Sequence, residues 1–270
     1  MEQDYKNIEV IVVDDGSTDN SLEVLEIFRK ELGFTLLKKL NGGVVSAINF
    51  GLKHVNGDYV VFHACDDISL PYRISHQINV FSNFPDAAFI SSNVNIVNSD
   101  GSIIANLNKK KSARIIKLND ALLGADISSV GCIYKVDYLR LIELDEKLIA
   151  EDPQVHLKLL EGGRFAIVDY GIPVLNYYLH PGSQMATKLT RLLEQHLRLL
   201  ENYKSEKDFK KAYKKVQTSY ASNLAESSKK NAIYYIFKNP QLIKVDGIHR
   251  VLVKLLIPKK LYYKFKRVRS

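Results

Sequence analysis

Two adjacent carboxylates, Asp66 and Asp67, close the stretch Gly57-Asp58-Tyr59-Val60-Val61-Phe62-His63-Ala64-Cys65-Asp66-Asp67. Like charges beside a buried strand end cost free energy unless something positive meets them. A divalent cation is the economical partner, because hard oxygen ligands suit Mg²⁺ or Mn²⁺. A solvated Asp-Asp turn is the competing reading. Two further acidic pairs stand at element ends. Asp14-Asp15 follows an apolar run and can accept hydrogen bonds from a ribose or a base, with helix capping as the plainer alternative. Glu151-Asp152 opens a helix-like stretch. A positioned carboxylate there can serve as general base, or simply place negative charge at a helix N-terminus. His63 and His180 could ligate a metal, but a lone histidine is more often a structural hydrogen-bonding group.

These residues must be placed by the elements around them. Residues 8–13 are β-branched and almost wholly apolar, as in a strand covered on both faces. Leu22, Leu25 and Phe28 follow at helical spacing, and residues 34–37 suggest a second strand. Asn41-Gly42-Gly43 precedes a helix through Val44, Ala47, Ile48 and Leu52, with Gly57 as its expected C-cap. Residues 59–62 form the next strand. Pro71 suits the first turn of a helix through Ile74, Ile78 and Phe81. Residues 87–91 are again strand-like. Residues 93–113 are polar and irregular, with Ser99-Asp100-Gly101 as a hairpin turn. A helix from Glu151 through Val155, Leu159 and Leu160 ends at Gly162-Gly163, and strands follow at 165–168 and 174–178. This alternation predicts an α/β fold: a Rossmann-type, mostly parallel sheet flanked by helices. In such sheets ligands sit at the carboxyl ends of strands, where the acidic pairs lie.

Composition is that of a globular chain, 46% apolar and 25% charged over 270 residues. No apolar run has the length of a membrane span. Cys65 and Cys132 make no CxxC pattern, which speaks against a structural zinc site and suits a reducing compartment. The opening Met1-Glu2-Gln3-Asp4 lacks the basic-then-apolar pattern of a secretory leader, so the expected location is the cytoplasm. The net charge of +8 is divided unevenly: residues 1–185 carry 17 basic and 24 acidic side chains, residues 186–270 carry 21 and 6. Beyond about residue 185 the pattern turns to long helices rich in Lys, Leu and Tyr. The domains expected are therefore 1–185 and a basic helical extension, 186–270. In the latter, Ile248, Val251, Leu252, Leu255 and Leu256 recur at helical spacing, and Lys259, Lys260, Lys264, Lys266, Arg267 and Arg269 crowd the end. Residues 240–270 would either lie on an anionic membrane surface, on its inner face, or pack as a helix with a solvated basic side. No nucleic-acid partner is expected.

Together, residues 5–19, the spaced set Asn41, Gly43, Ala47, Asn49, Gly51, the Gly57-Asp58-Tyr59 to Asp66-Asp67 stretch, Glu151-Asp152, and Tyr177 with His180-Pro181-Gly182-Ser183 resemble the family 2 glycosyltransferases. That resemblance covers residues 5 to about 185. It implies the nucleotide-diphosphosugar transferase (GT-A-like) fold. It also implies transfer of a sugar from a nucleotide-diphosphate donor, UDP being commonest, to a glycan or lipid-linked acceptor in surface polysaccharide synthesis. Asp152 is implied as general base and Glu151 as an orienting or acceptor residue. Asp14, Asp15, Asp66, Asn41 and Gly43 are implied at the nucleotide sugar. Asp67, with Asp66 and His180, is implied at a Mn²⁺ or Mg²⁺ ion. A single base without a carboxylate nucleophile implies inversion at the anomeric carbon.

Three departures from the family pattern stand out. His63 occupies a position often held by Asp. Ile48 stands where a basic residue often precedes Asn49. The family's first apolar strand and its loop have no counterpart before residue 5, which predicts poor stability and weak activity for the chain as given. Two other functions fit less of the sequence. A sugar-1-phosphate nucleotidyltransferase would carry a Gly-rich basic loop near its start. A non-catalytic remnant would bind a membrane or polyanion through the basic tail alone.

Overall fold

A computed structural model describes residues 2–106, 112–148, 151–180 and 184–257. The chain divides into two compact units, residues 1–180 and 181–270. The first contains strands β1 (Ile11–Asp14), β2 (Thr35–Lys38), β3 (Tyr59–Val60), β4 (Ile68–Ser69), β5 (Phe89–Ser92), β6 (Asn95–Val97), β7 (Ile103–Asn106), β8 (Arg114–Ile116), β9 (Cys132–Lys135), β10 (Ala166–Asp169) and β11 (Leu175–Tyr178). Its helices are α1 (Ser21–Leu32), α2 (Val44–Leu52), α3 (Arg73–Asn83), α4 (Leu118–Leu122), α5 (Val136–Leu139) and α6 (Glu151–Leu160).

The strands form three sheets, ordered β1-β2, β3-β9-β5-β10-β8 and β4-β11-β6-β7. The α/β class expected from the sequence is present. The sheets are mixed rather than mostly parallel: β1–β2, β5–β10 and β6–β11 run parallel, and the other five pairings are antiparallel. The physical reason is that a strand buried on both faces shows the same apolar run whichever way its neighbour runs, so direction leaves no trace in the pattern. Residues 93–113, read as irregular, include the β6–β7 hairpin. Its turn is closed by Gly101 N–H to Asn98 O at 3.0 Å, with Gly101 at φ 85°.

Two local expectations need correction. Gly57 does not cap α2, which ends at Leu52 with Lys53 as its C-cap. The Gly57 N–H instead donates to Glu9 Oε1 at 2.8 Å, beside a 2.6 Å bond from Asn56 N, so these residues fasten the approach to β1 to the approach to β3. Pro71 lies in the turn before α3 rather than in its first turn.

The core of the first unit gathers on the five-stranded sheet. Phe89, Ile116, Tyr134, Leu159, Ala166 and Val168 are buried together, with Ile48 packed against them. Ile48 thus serves the core. At the other extreme, α1 has no buried residue, and Ile27, Phe28 and Leu32 are exposed.

The second unit is helical: α7 (Gln184–Leu200), α8 (Phe209–Ser227), α9 (Lys229–Lys238) and α10 (Ile248–Leu256). Ser228 caps α9 by accepting from Asn231 N at 3.3 Å. Its core joins Ala221, Leu224, Ala232, Ile236, Leu242, Ile248 and Val251. Ile248 and Val251, part of the apolar stripe noted in the basic tail, are therefore occupied within this unit, while Leu252, Val253 and Leu256 are exposed. Lys254 pairs with Glu226. Residues 258–270, with most of the terminal Lys and Arg run, and the Lys109-Lys110-Lys111 run lie outside the described residues.

Candidate active site

Asp14 and Asp15 end β1, where the chain turns into a loop through Gly16. Asp14 is buried and accepts from Ser17 N at 3.3 Å. Asp15 Oδ1 accepts from Lys39 Nζ at 2.7 Å and Gly42 N at 3.0 Å, and its Oδ2 accepts from Gly43 N at 2.7 Å. Burial pushes the Asp15 carboxyl up, but Lys39 and the two glycine amides outweigh it and hold the group below the usual carboxylate range. Two loops touch here. A Cβ on Gly16, which sits at φ 75°, would stand 2.7 Å from Asn41 N. Asp15 and Gly43 of the expected donor set are thus in direct contact, with Asn41 on the same loop and exposed.

Asp66 and Asp67 lie between β3 and β4, at the end of the apolar run, and their surroundings differ. Asp67 is buried, with Oδ1 accepting from Tyr178 N at 3.1 Å. Burial raises its pKa, against that amide bond, and the neighbouring Asp66 raises it further. Asp66 is half exposed and lies 2.7 Å from His180 Nε2. Residues 181–183, the rest of the expected His-Pro-Gly-Ser loop, lie outside the described residues. His63 is exposed, its Nδ1 2.6 Å from Ala64 O.

Glu151 and Asp152 occupy the first turn of α6. Burial, then the Glu151 charge, pushes the Asp152 carboxyl up to about 7, although a hydrogen bond with Ser129 opposes the shift. Burial raises Glu151 as well. One turn later, His156 is buried with Nε2 3.1 Å from the Tyr134 hydroxyl. Burial depresses its pKa to about 3, so it is neutral.

Tyr177 on β11 relates two of the acidic pairs. Its phenol is raised by burial and then by the charges of Asp67, Asp66 and Asp152. Three carboxylates from two distant sequence segments therefore act on one ring. Among the described residues, no hydrogen bond joins this group to the Asp15–Lys39 cluster.

Several participants had no signal of their own in the sequence. Lys39 meets Asp15 only because β1 and β2 pair in register, Asp14 against Lys38. Ser129 reaches Asp152 through the fold. Arg73 is wholly buried, its guanidinium donates to the Val130 carbonyl at 2.9 Å and the Ser69 hydroxyl at 3.0 Å, and its charge acts on Asp67. A charged residue on a helix carries no mark of burial.

Among the described residues no cluster of three or more His, Cys, Asp or Glu is arranged to hold a metal. The Asp66–His180 pair nonetheless fits a hard divalent cation. Mg²⁺ and its like are held by one or two protein donors, waters and substrate phosphates rather than by an all-protein cage. A carboxylate oxygen and an imidazole nitrogen are both within the Mn²⁺ repertoire.

Among curated proteins, the chain is 32% identical over 124 residues to an uncharacterized glycosyltransferase of Rickettsia felis, covering 46% of this chain and 21% of that protein. It is 29% identical over 163 residues to the poly-beta-1,6-N-acetyl-D-glucosamine synthase of Staphylococcus epidermidis, covering 58% of this chain and 39% of that protein. The chain therefore spans only part of these relatives. In structure it resembles S. aureus TarS 1-349 in complex with UDP-GlcNAc, with TM-score 0.56, 18% identity, and coverage of 97% of this chain and 85% of that one. It also resembles the mannosyltransferase PcManGT of Pyrobaculum calidifontis in complex with GDP-Man and Mn²⁺, with TM-score 0.55, 15% identity, and coverage of 96% and 80%. These similarities place the fold among such transferases. The model of the glycosyl transferase family 2 matches residues 1–142, and the chain belongs to that family.

Proposed function

We propose that the protein transfers a sugar from a nucleotide-diphosphate donor, a UDP-sugar first, to a glycan or lipid-linked acceptor, by direct displacement with inversion. The observation that carries this reading is the Asp66-Asp67 pair held against the end of β11, Asp67 Oδ1 accepting from Tyr178 N at 3.1 Å and Asp66 lying 2.7 Å from His180 Nε2. The charges of this pair and of Asp152 both bear on the Tyr177 phenol of the same strand. Asp15, held with the Gly42 and Gly43 amides and Lys39, presents an anchored loop for the nucleotide, with Asp14 and Asn41 beside it. Asp66 and His180 offer the outward donors for a divalent cation, Mn²⁺ or Mg²⁺, with Asp67 fixed behind them by the Tyr178 amide. When bound, such a cation supplies charge stabilisation to the departing nucleoside diphosphate. Asp152 takes the proton of the attacking acceptor hydroxyl. Its raised pKa suits that task near neutral pH, where a base with a pKa matched to the medium works best. Glu151 raises that pKa and orients the acceptor. The acceptor proton ends on the Asp152 carboxylate, and the donor's glycosidic C–O electrons leave with the diphosphate.

The membrane is a proposed partner, through residues 258–270 rather than the whole of 240–270, because Leu242, Ile248 and Val251 are core residues of the helical unit. No helix among the described residues is long and apolar enough to cross a membrane. The proposed side of contact is the cytoplasmic face.

The test is release of UDP from UDP-GlcNAc with Mn²⁺ present, with acceptor fractions from a polysaccharide-producing cell, comparing the native chain with Asp152→Asn. Metal-dependent UDP release that the variant lacks supports transfer. Formation of UDP-sugar from UTP and a sugar 1-phosphate would replace it with the nucleotidyltransferase reading. No UDP binding with or without Mn²⁺ would leave only the polyanion-binding one.

A further inference from the structure

The helical unit holds a cleft of about 440 Å³, within the range of small-molecule sites, about 300–1,000 Å³. Three helices line it with stripes at one-turn spacing. α7 supplies Glu194, Leu197 and Arg198, the turn directly after it supplies Glu201, and α8 supplies Tyr213, Gln217 and Tyr220. Tyr235 and Asn239 come from the end of α9 and the residue after it. Facing stripes in a helical bundle ordinarily carry aliphatic side chains. Here Leu197 is the one aliphatic residue of the lining.

The polar and aromatic groups are held in place. Gln217 is buried, and its Nε2 donates to Asn239 Oδ1 at 3.1 Å. Asn239 Nδ2 in turn donates to the Tyr235 carbonyl at 2.9 Å. The Tyr220 and Tyr235 rings meet edge to face with centroids 4.8 Å apart. The Tyr213 phenol is pushed up to about 12 by burial and by its bond to Glu201, so it stays protonated. Charges at the cleft are already matched: Arg198 meets Glu194 at 3.0 Å and Lys204 meets Glu201 at 2.5 Å.

An ionic ligand finds no unmatched charge in this lining. A ligand with apolar C–H faces and a ring of hydroxyls finds both its needs. Phenol rings offer apolar faces with a polar edge, and amides and carboxylates supply donors and acceptors. Pyranose sugars have that combination. We infer that the α7–α8–α9 cleft is a saccharide-binding site for a short stretch of neutral glycan. The saccharide class stands on the lining itself; its use as a second hold on the acceptor rests on the transfer reading above.

The chain has 15 tyrosines and no tryptophan, so tyrosine emission, to which Tyr213, Tyr220 and Tyr235 of the cleft contribute, is read without a brighter tryptophan background. The full chain would be titrated with the β-linked trisaccharide of N-acetylglucosamine and with maltotriose, by emission and by calorimetry. UDP would be titrated in parallel. Saturable binding of at least one saccharide is expected. Tyr220→Ala and Gln217→Leu should each weaken it at least fivefold, with unchanged UDP affinity and unchanged circular dichroism. Absence of saturable binding of both sugars to the folded native chain overturns the proposal. So does binding undiminished in the double variant. Failure of UDP binding alongside saccharide binding that the variants weaken would support the cleft while removing the transfer reading.

Discussion

Asp152 is under two opposed demands. To accept a proton it must ionise, and its burial beside Glu151 resists that. Its pKa of about 7 means the folded chain keeps a proton that the unfolded chain releases in the ordinary carboxylate range. Stability from this group is therefore greatest at low pH, falls as pH rises from about 4, and levels off above about 7. Asp152→Asn should lower turnover by about 10²–10⁴-fold. It should also raise the thermal midpoint at pH 8 while leaving it nearly unchanged at pH 4, as calorimetric scans would read. A wild-type rate that did not climb between pH 6 and 8 would count against the base role. Asp15 answers to a different measurement. Its carboxylate accepts three hydrogen bonds, and charged bonds contribute about 1.5–3 kcal/mol each. Asp15→Ala should free Lys39 and the Gly42–Gly43 loop and weaken UDP binding about tenfold or more, by calorimetry. The acidic residues were legible in the sequence because adjacent carboxylates at strand and helix ends are conspicuous. Lys39, Ser129 and Arg73 were not, since each gains its place from a contact 23 or more residues away.

Elements fared differently according to how much periodicity they carry. The helix from Glu151 and the strand leading to Asp14-Asp15 could be read because their apolar spacing is long enough to show a period. Strand direction could not, nor could β4, whose two residues are too short to carry a pattern, whereas β3 falls within the apolar run at 59–62. The 3₁₀ turn Ser129–Gly131 had no helical signature, yet it presents Ser129 to Asp152. Its tolerance is narrow. A Cβ on Gly131 would stand 2.4 Å from the Ser92 carbonyl and 3.0 Å from Val94 Cγ1, both buried. Gly131→Ala should therefore destabilise the chain by about 1–3 kcal/mol, the usual cost of overpacking, seen as a lower urea midpoint. Its rate should fall too as Ser129 shifts. A variant with native midpoint and rate would show that the backbone yields there at no cost.

At the scale of the whole molecule, charge is the largest asymmetry, and it concentrates toward the end of the chain. Each basic residue near an anionic surface contributes about 1 kcal/mol. Deleting residues 258–270, which spares the core built on Ile248 and Val251, should abolish flotation with phosphatidylserine vesicles and leave UDP affinity intact. Binding of the native chain should weaken steeply as salt rises. Flotation unchanged by the deletion would move the membrane contact elsewhere. The segment at the other end bears the loop with Asp14 and Asp15. Strands β1 and β2 pair only with each other among the described residues, and α1 buries nothing. Few apolar contacts and an exposed ladder make for low local stability. Amide protons of residues 11–38 should hence exchange with deuterium well before those of β5 and β10. UDP, gripping the loop after β1, should slow that exchange more than any other in the chain, making this lightly held corner the most sensitive reporter of donor binding.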